Sequence, residues 1–411
     1  MNERSIVIVG GGHAGFQLAA SLRQAGSDDR ILLVGDEGHL PYQRPPLSKA
    51  YLDDGRTPDS LYFRPEAFLT QNRIDYLGEA RVTGIDRAEG RIDTGEGRSY
   101  RFDDLVLATG TRNRPLPVPG AELAGVVGLR TIADAHALRD ALARAEDIVV
   151  IGAGFVRLEV AATAAKRGHR VTVVEAVGRV MQRAVSPATS AFYRSAHEAA
   201  GIRFLFDARV VRLAGEAGRV RAVGLADGTR PAADLVLVGI GVIPNFELAE
   251  AAGLAGGNGI AGDGRPGTSD PPILASRDCA AHPSRFAPGP VRIESVQNAT
   301  DQAKSAAARL TGGAGELYEA VPWFWSDQGA LKLQIAGLSN GVDRWVVRGD
   351  PASGAFSVFG YRGDRLAAVE SVMKPADHMV ARRLIGAGVA LPPEVAADLS
   401  ADLKALAGPG R

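Results

Sequence analysis

The sequence predicts an α/β protein made of two similar strand–turn–helix units and a C-terminal region of a different kind. The first unit is visible in "SIVIVGGGHAGFQLAASLRQAG", a short apolar run followed by glycines and a helical pattern. The same order recurs in "DIVVIGAGFVRLEVAATAAKRG" in the middle of the chain. From Val321 onward the apolar residues alternate, which is typical of antiparallel strands. The fold class expected is therefore α/β, with two Rossmann-like domains, one inserted in the other, and a C-terminal α+β domain.

Composition limits the classes of function. The chain has 411 residues, enough for two or three domains, and its 45% hydrophobic content argues against extensive disorder. Lysine plus arginine equals aspartate plus glutamate at 47 each, so no net charge draws the chain to nucleic acid or an anionic membrane. No apolar run approaches the ~20 residues of a membrane span, and the start lacks a signal-peptide pattern. A cytoplasmic protein is expected.

The chain has a single cysteine, Cys279. One thiol cannot form an internal disulfide, hold an iron–sulfur cluster or supply a C-x-x-C pair. Any redox chemistry must therefore come from a bound organic cofactor, and no metal site is expected. Cys279 itself is expected to be a small buried apolar residue.

The first glycine turn has the features of a dinucleotide-binding site. Gly10, Gly12 and Gly15 stand in G-x-G-x-x-G order between a strand and a helix, and Asp36 follows about 20 residues later. Glycines at these places let backbone amides approach a pyrophosphate at the helix N-terminus. Asp36 is expected to bind the adenosine ribose.

The second turn repeats this pattern with one departure. Gly152 and Gly154 are present, but Arg157 stands where the third glycine belongs. Glu175 ends the next strand, and a carboxylate there favours NADH over NADPH, although a solvent-exposed strand-end residue is the alternative. Similar closing strands, "DDLVLATG" and "ADLVLVGIG", follow the two units, so duplication explains the chain better than two unrelated units.

Three further stretches complete the reading of the chain. Residues 253–290 are rich in glycine and proline and are expected to form a loop-rich surface crossing. The tail from Asp377 is expected to be helical. In "LPYQRPPLSKAYL" the prolines fix an extended backbone, Ser48 is expected to cap a short helix, and Arg44 and Lys49 flank the rigid piece. Two cations held in this way suit a phosphate and an electron-rich ring.

Several segments resemble one known family: "PYQRPPLSKAYL", "LVLATGTRNR", "LRTIADAHALR", "VGIGVIPN", "RIESVQNATDQAK" and "VPWFWSDQ". They resemble the FAD-dependent, NADH-using ferredoxin reductases of the putidaredoxin and rubredoxin reductase type, which have the pyridine nucleotide-disulphide oxidoreductase superfamily fold. The likeness runs across essentially the whole chain. It implies an FAD-binding domain at 1–112 and 242–320, an NADH-binding domain at 113–241, and a C-terminal α+β domain at 321–411 covering the flavin.

The resemblance also implies site residues. Around FAD it places Gly10, Gly12, Gly15, Asp36, Arg44, Lys49, Val82, Arg130, Asp278, Val296 and Trp325. Around NADH it places Gly152, Gly154, Glu159, Glu175, Arg183 and Gly241. Neighbouring cofactor contacts are expected at His13, Ala14, Ala108, Phe155, Val156, Glu294 and Ser295.

Lys49 and Glu159 are the pair expected at the reacting rings, with Lys49 near the flavin edge and Glu159 near the nicotinamide. The alternatives are an exposed helix residue for Glu159 and plain core packing for Trp325. The implied reaction passes a hydride from NADH to FAD, and then single electrons to a [2Fe-2S] ferredoxin that serves a P450 or a ring-hydroxylating oxygenase.

The ferredoxin partners of this family are typically acidic, so a local basic patch is expected to dock them. Relatives suggest a monomer or weak dimer. Candidate docking residues, each more simply explained as solvated surface charge, are Arg64, Arg73, Arg309 and Lys332.

Two arginines break the pattern of the family. Arg157 must either crowd the packing of its helix or lean toward the phosphates. Arg277, in "LASRDCAAH", replaces the glycine of the A-x-G-D motif and is strained if that position requires a positive φ. Three hypotheses stay open: a working NADH:ferredoxin reductase, a flavoprotein-like scaffold that binds its cofactors weakly or not at all, and an NADH oxidase that passes electrons to oxygen.

Overall fold

The computed structural model describes residues 4–52, 56–313 and 317–408, and these form two compact units. The first unit contains the described residues of 1–43, 57–112 and 242–322, and the second those of 44–56, 113–241 and 323–411. Residues 44–52, which include the proline-rich stretch, thus group with the second unit. The domain boundaries expected from the sequence stay a prediction.

Helices and strands alternate at the two glycine turns, and runs of consecutive strands lie between and after them. The α-helices are α1 His13–Gln24, α2 Glu66–Gln71, α3 Ile132–Leu142, α4 Phe155–Lys166, α5 Pro187–Ala199, α6 Glu247–Ala251, α7 Val296–Leu310, α8 Pro375–Ala387, α9 Pro393–Ala397 and α10 Leu403–Leu406. The strands are β1 Ser5–Val9, β2 Arg30–Val34, β3 Ile74–Leu77, β4 Val82–Asp86, β5 Arg91–Thr94, β6 Ser99–Arg101, β7 Asp104–Leu107, β8 Thr111–Asn113, β9 Val126–Val127, β10 Asp147–Ile151, β11 Arg170–Val174, β12 Arg203–Leu205, β13 Val210–Glu216, β14 Arg219–Leu225, β15 Leu235–Val238, β16 Val242–Pro244, β17 Gly256–Gly257, β18 Gly259–Ala261, β19 Ile273–Ala275, β20 Ala280–Ala281, β21 Trp323–Gln328, β22 Leu331–Gly337, β23 Arg344–Arg348, β24 Phe356–Arg362 and β25 Arg365–Val372.

The first unit is built on a parallel sheet with the strand order β19-β7-β1-β2-β3. Its central strands are continuous apolar runs because both faces of the sheet are covered. On one face Ile6 and Ile8 pack with Leu18 and Leu22 of α1 and with α7, and on the other Val7 and its neighbours form a separate cluster. The glycine turn after β1 therefore opens at the carboxyl edge of the sheet, where ligands of such sheets bind.

The second unit repeats this arrangement around the parallel sheet β12-β11-β10-β15-β9. The order β15-β10-β11 corresponds to β7-β1-β2 in the first unit. Helices α1 and α4, which follow the two glycine turns, are both 12 residues long. The repeat that the sequence predicted is thus present in the strand order as well as in the motifs.

The C-terminal part of the second unit is an antiparallel sheet with the order β21-β22-β25-β24-β23. Helix α8 packs on β22 and β25. The α+β structure predicted after Val321 is confirmed, and so is the α/β class of the whole chain.

The passage from 253 to 290 differs from its expected form as a loop-rich surface crossing. Within it, β19 joins the parallel sheet beside β7, and Ile273 and Leu274 are fully buried. A three-residue strand is too short to show a period in the sequence, and the surrounding glycines and prolines favour the prediction of a loop. Cys279, in the turn after β19, is buried as expected.

Candidate active site

The first glycine turn forms a close junction between β1 and α1. Gly10 has φ +122°, and a Cβ there would lie 2.2 Å from the carbonyl oxygen of Ala108, so only glycine fits. A Cβ at Gly15 would lie 2.0 Å from the carbonyl oxygen of Gly10, so this glycine brings the helix against the turn. Gly12 precedes α1 with no side-chain cap, and the first amides of a helix lack partners within it. His13 and Ala14 form that first turn, which can hold a phosphate.

Asp36 follows β2, and its half-exposed carboxylate has Arg81 Nη1 3.8 Å away. Sequence reasoning missed two tyrosines beside it. Tyr76 donates from its hydroxyl to the His39 carbonyl at 2.6 Å, and Tyr42 donates to Glu37. Burial and the nearby acids Glu37 and Asp36 raise the pKa of Tyr76. A small pocket beside Asp36 is lined by Gly11, Gly35, Asp36, Glu37, His39, Tyr42 and Tyr76.

Arg277 adopts the conformation that the replaced glycine would favour. Its φ is +71°, which costs a residue with a side chain about 1–3 kcal/mol. Its backbone N–H donates to Gln302 Oε1 at 2.5 Å, and its Nε lies 3.3 Å from Asp278 Oδ1. Its Nη1 lies 3.4 Å from the place where a Cβ would stand on Gly12. The expected strain is present, and the side chain reaches the first glycine turn.

The other residues expected at FAD in this unit lie at the ends of elements. Ser295 caps α7, accepting the Asn298 N–H on its hydroxyl at 3.0 Å, and Val296 begins the helix. The exposed Glu294 pairs with Arg292 at 2.5 Å. Val82 begins β4, and the Ala108 carbonyl lies under Gly10.

The second glycine turn is similar in its backbone. Gly152 has φ +98°, and a Cβ there would lie 2.4 Å from the Gly239 carbonyl oxygen. Gly154 precedes α4 with open space around it. Glu175 accepts the Ala153 N–H at 2.7 Å on one oxygen and the Val177 N–H at 3.1 Å on the other. The carboxylate therefore accepts a hydrogen bond from the residue between the two glycines of the turn. The alternative of a strand-end carboxylate that contacts only solvent is wrong.

Arg157 takes the space above another glycine. A Cβ on Gly239 would lie 1.5 Å from Arg157 Nε, so the arginine stem covers this glycine while α4 stays regular. The Nε and Nη2 atoms are buried, and neither finds a hydrogen-bond partner among the residues that the structure describes. Burial, and then the charge of Arg130, lower the pKa of Arg157 to about 10. Because Gly239 has no side chain, it leaves the space that the Arg157 side chain occupies.

Lys49 and Glu159 form an ion pair inside the second unit, in which the lysine is partly exposed and the glutamate is buried. Lys49 Nζ lies 2.8 Å from Glu159 Oε2, and the glutamate side chain is 3% exposed. Ser48 donates to the same oxygen at 2.5 Å, and Ser326 donates to Oε1 at 2.8 Å. The alternative of an exposed helix residue is therefore wrong for Glu159, because the turn of α4 faces β21 and the proline-rich stretch.

Ser48 is the second correction at this site. Ser48 was expected to cap a short helix, but it is the last residue of the short 3-10 helix Pro45–Ser48. Its hydroxyl donates to Glu159 instead of capping a helix. Sequence reasoning missed Ser326, whose only signal was its place directly after Trp325. Gln328 donates to Ser326 at 3.2 Å and contacts His197 Nε2 at 2.7 Å, so polar contacts continue inward from Glu159. Burial lowers the pKa of His197, which keeps the ring neutral.

The other predicted residues of this unit lie on several of its elements. Arg44 donates to the Arg130 carbonyl at 2.7 Å, and the Arg130 N–H donates to Asp134, which forms a capping box with Thr131. Trp325 is half-buried and lies 5.6 Å from Trp323, ring to ring. Phe155 and Val156 open α4, Arg183 is exposed, and Gly241 has φ +105°.

The candidate docking residues differ in their surroundings. Arg73 pairs with Asp28, Arg309 donates to the Arg265 carbonyl at 3.0 Å, and Arg64 donates to the Phe63 carbonyl at 3.1 Å. Lys332 is exposed on β22. Docking by these residues stays a prediction.

Residues 4–52, 56–313 and 317–408 contain no group of three or more His, Cys, Asp or Glu placed to hold a metal ion. No helix within these ranges is both long and apolar enough to cross a membrane.

Comparison with known proteins identifies relatives along the whole chain. The pyridine nucleotide-disulphide oxidoreductase family model matches residues 4–303, and the reductase C-terminal model matches 323–407. Rhodocoxin reductase of Rhodococcus erythropolis is 49% identical over 97% of this chain and 93% of its own length. Putidaredoxin reductase of Pseudomonas putida is 44% identical over 97% of this chain and 96% of its own.

Solved structures agree with these relatives. The ferredoxin reductase for the CYP199A2 system of Rhodopseudomonas palustris superposes with a TM-score of 0.96 at 49% identity, covering 99% of this chain and all of the other. Putidaredoxin reductase in its covalent complex with putidaredoxin gives 0.94 at 42% identity, covering 98% of each chain.

Proposed function

The chain belongs to the pyridine nucleotide-disulphide oxidoreductase family and is a ferredoxin reductase, and from this we propose the reaction that it carries out. It takes a hydride from NADH onto FAD and delivers single electrons to a [2Fe-2S] ferredoxin, which serves a P450 or a ring-hydroxylating oxygenase. The observation that carries the proposal is the ion pair between Lys49 and the buried Glu159, on the helix that follows the second glycine turn.

The two glycine turns fit the two dinucleotides. At each turn a Cβ on the first glycine would collide with backbone carbonyl oxygen, so the backbone comes close enough for phosphate to meet amides. Each turn is followed by an acid at the end of the next strand, Asp36 or Glu175. These features support FAD at the first turn and NADH at the second.

The Lys49–Glu159 pair has a direct use in this reaction. A buried ion pair is costly to desolvate and contributes little stability by itself. Two serine hydroxyls offset that cost by holding both glutamate oxygens, which fixes the lysine ammonium in one place. When bound, FAD accepts two electrons as a hydride and releases them singly, and a fixed cation favours its reduced, anionic form.

Glu175 supports NADH as the preferred donor. Its carboxylate is held by two backbone amides at the place where an adenosine ribose binds in such folds. A carboxylate fixed there accepts hydrogen bonds from the ribose hydroxyls and repels a 2′-phosphate.

The proposed partner follows from the cysteine count and from the relatives. A chain with one cysteine cannot carry an iron–sulfur cluster, so single-electron transfer needs a cluster on another protein. One relative has been solved in a covalent complex with putidaredoxin. An acidic [2Fe-2S] ferredoxin is the partner proposed for this chain, which we expect to act in the cytoplasm as a monomer or weak dimer.

The test is a steady-state assay of NADH consumption with an acidic [2Fe-2S] ferredoxin, followed through the absorbance of the ferredoxin. Glu159→Gln is the matched variant, because it keeps the side-chain shape and removes the charge facing Lys49. We expect it to slow flavin reduction by NADH roughly tenfold or more, since the reacting groups lose their fixed positions. Electron transfer from dithionite-reduced protein to ferredoxin should change much less, because that step needs no alignment with NADH.

Two outcomes would favour the alternatives. NADH consumption that reduces oxygen and leaves the ferredoxin oxidised would support an NADH oxidase. Protein that retains no flavin and consumes no NADH would support a scaffold, the reading that Arg157 and Arg277 left open.

A further inference from the structure

We propose that Arg277 is a ligand of the FAD diphosphate. Its guanidinium supplies a positive charge at a position where glycine would offer only backbone groups. The inference deepens the proposed function and rests on it. The first support is the cost of the conformation. Arg277 has φ +71° and is 8% exposed, so the chain keeps a strained, buried arginine where glycine would be free of strain.

The direction of the side chain is the second support. Arg277 follows β19 at the carboxyl edge of the sheet, two strands from β1. Its Nη1 lies 3.4 Å from the Cβ position of Gly12, the residue that precedes α1. The guanidinium therefore reaches the turn at which a dinucleotide diphosphate binds.

The electrostatics of this turn favour an anion. The N-terminus of a helix carries about half a positive charge, and α1 has no acidic residue in its first turn. A guanidinium beside it adds a second positive group. Asp278 lies 3.3 Å from Nε and offsets part of this charge, but Nη1 is the atom at the turn. Two positive groups converge there, and a diphosphate placed between them satisfies both.

The side chain type also suits a diphosphate. The backbone N–H of Arg277 is held by Gln302 Oε1, which fixes the position from which the side chain extends. A guanidinium can meet phosphate oxygens with two N–H groups, which lysine cannot do in the same way.

The test measures FAD affinity of the apoprotein by quenching of flavin fluorescence, at low and high salt. Arg277→Gly removes the charge and relieves the strain, Arg277→Ala removes the charge and keeps the strain, and Arg277→Lys keeps a charge. Arg98→Ala, on the exposed turn between β5 and β6, is the control for net charge.

We expect the Kd for FAD to rise about tenfold in both Arg277→Gly and Arg277→Ala, less in Arg277→Lys, and not at all in Arg98→Ala. Added salt should weaken FAD binding more in the wild type than in Arg277→Gly, since it screens the contact that the variant lacks. The melting temperature of apo Arg277→Gly should equal or exceed that of the wild type.

Two results would overturn the proposal, in different ways. If Arg277→Gly binds FAD as tightly as the wild type or more tightly, the arginine is a strained occupant of the site and no ligand. If the wild-type protein takes up no FAD under any condition, the proposed function fails first and this inference fails with it.

Discussion

At the scale of single residues, Arg157 and Gly239 act as a pair. Arginine replaces the third glycine of the motif at 157, and the stem of its side chain occupies the space above a different glycine, Gly239. The price is a guanidinium with two buried nitrogens that find no partner in the described part of the chain, and with a pKa lowered to about 10.

This pairing predicts the outcome of a double-mutant cycle. Gly239→Ala should lower the free energy of unfolding by about 1–3 kcal/mol, because its methyl group overlaps Arg157 Nε. In an Arg157→Gly background the same change should cost little. Chemical denaturation of the four proteins measures both values, and an equal cost in the two backgrounds would show that the residues are independent.

Glu175 is the residue proposed to select NADH over NADPH. Glu175→Gln keeps an oxygen for the Ala153 N–H and removes the charge that repels a 2′-phosphate. The ratio of kcat/KM for NADPH to that for NADH should rise about tenfold. Glu175→Ala, which also releases the turn, serves as the comparison, and a ratio that both variants leave unchanged would remove Glu175 from the ribose site.

At the scale of elements, the packing of α8 on the antiparallel sheet is expected to depend on pH. His378 of α8 is 1% exposed, and its ring meets Trp323 of β21 edge to face at 5.7 Å. Burial, and then the charge of Arg382, lower its pKa to about 4. Neither ring nitrogen has a hydrogen-bond partner among the residues described.

The sign of the pH effect follows from that depressed pKa. Between pH 6.5 and about 4 the unfolded chain binds a proton at His378 that the folded chain does not, so stability falls as pH falls through this range. The loss should be of the order of 2–3 kcal/mol. His378→Phe should remove this part of the dependence in denaturant melts at pH 5 and pH 7. A variant whose stability falls with pH as steeply as that of the wild type would contradict the assignment.

The helices and strands of the two glycine-turn units could be predicted because each is long and periodic, as β1, α1, β10 and α4 show. The strand β19 could not, since three residues carry no period and its place is fixed only by pairing with β7. Ser326 and Ser48 could not be assigned to Glu159, because they are far from it in sequence and serine is common in solvated loops.

At the scale of the whole molecule, a chain with a single cysteine and no net charge must obtain its redox chemistry from bound cofactors. The motifs resembled one family over the full length, and the relatives at 49% and 44% identity confirm that family. What the sequence left open was the effect of its own two arginines. The structure shows how each is accommodated, one above Gly239 and one beside Gly12.

The visible absorption spectrum of the purified protein, before and after NADH is added without oxygen, tests the central claim most directly. We expect flavin bands that bleach on addition of NADH, because the chain is proposed to bind both dinucleotides and to bring about hydride transfer between them. A colourless protein that stays colourless after incubation with FAD would contradict it. Flavin bands that NADH leaves unchanged would contradict the NADH half of the claim and point to the turn that carries Arg157.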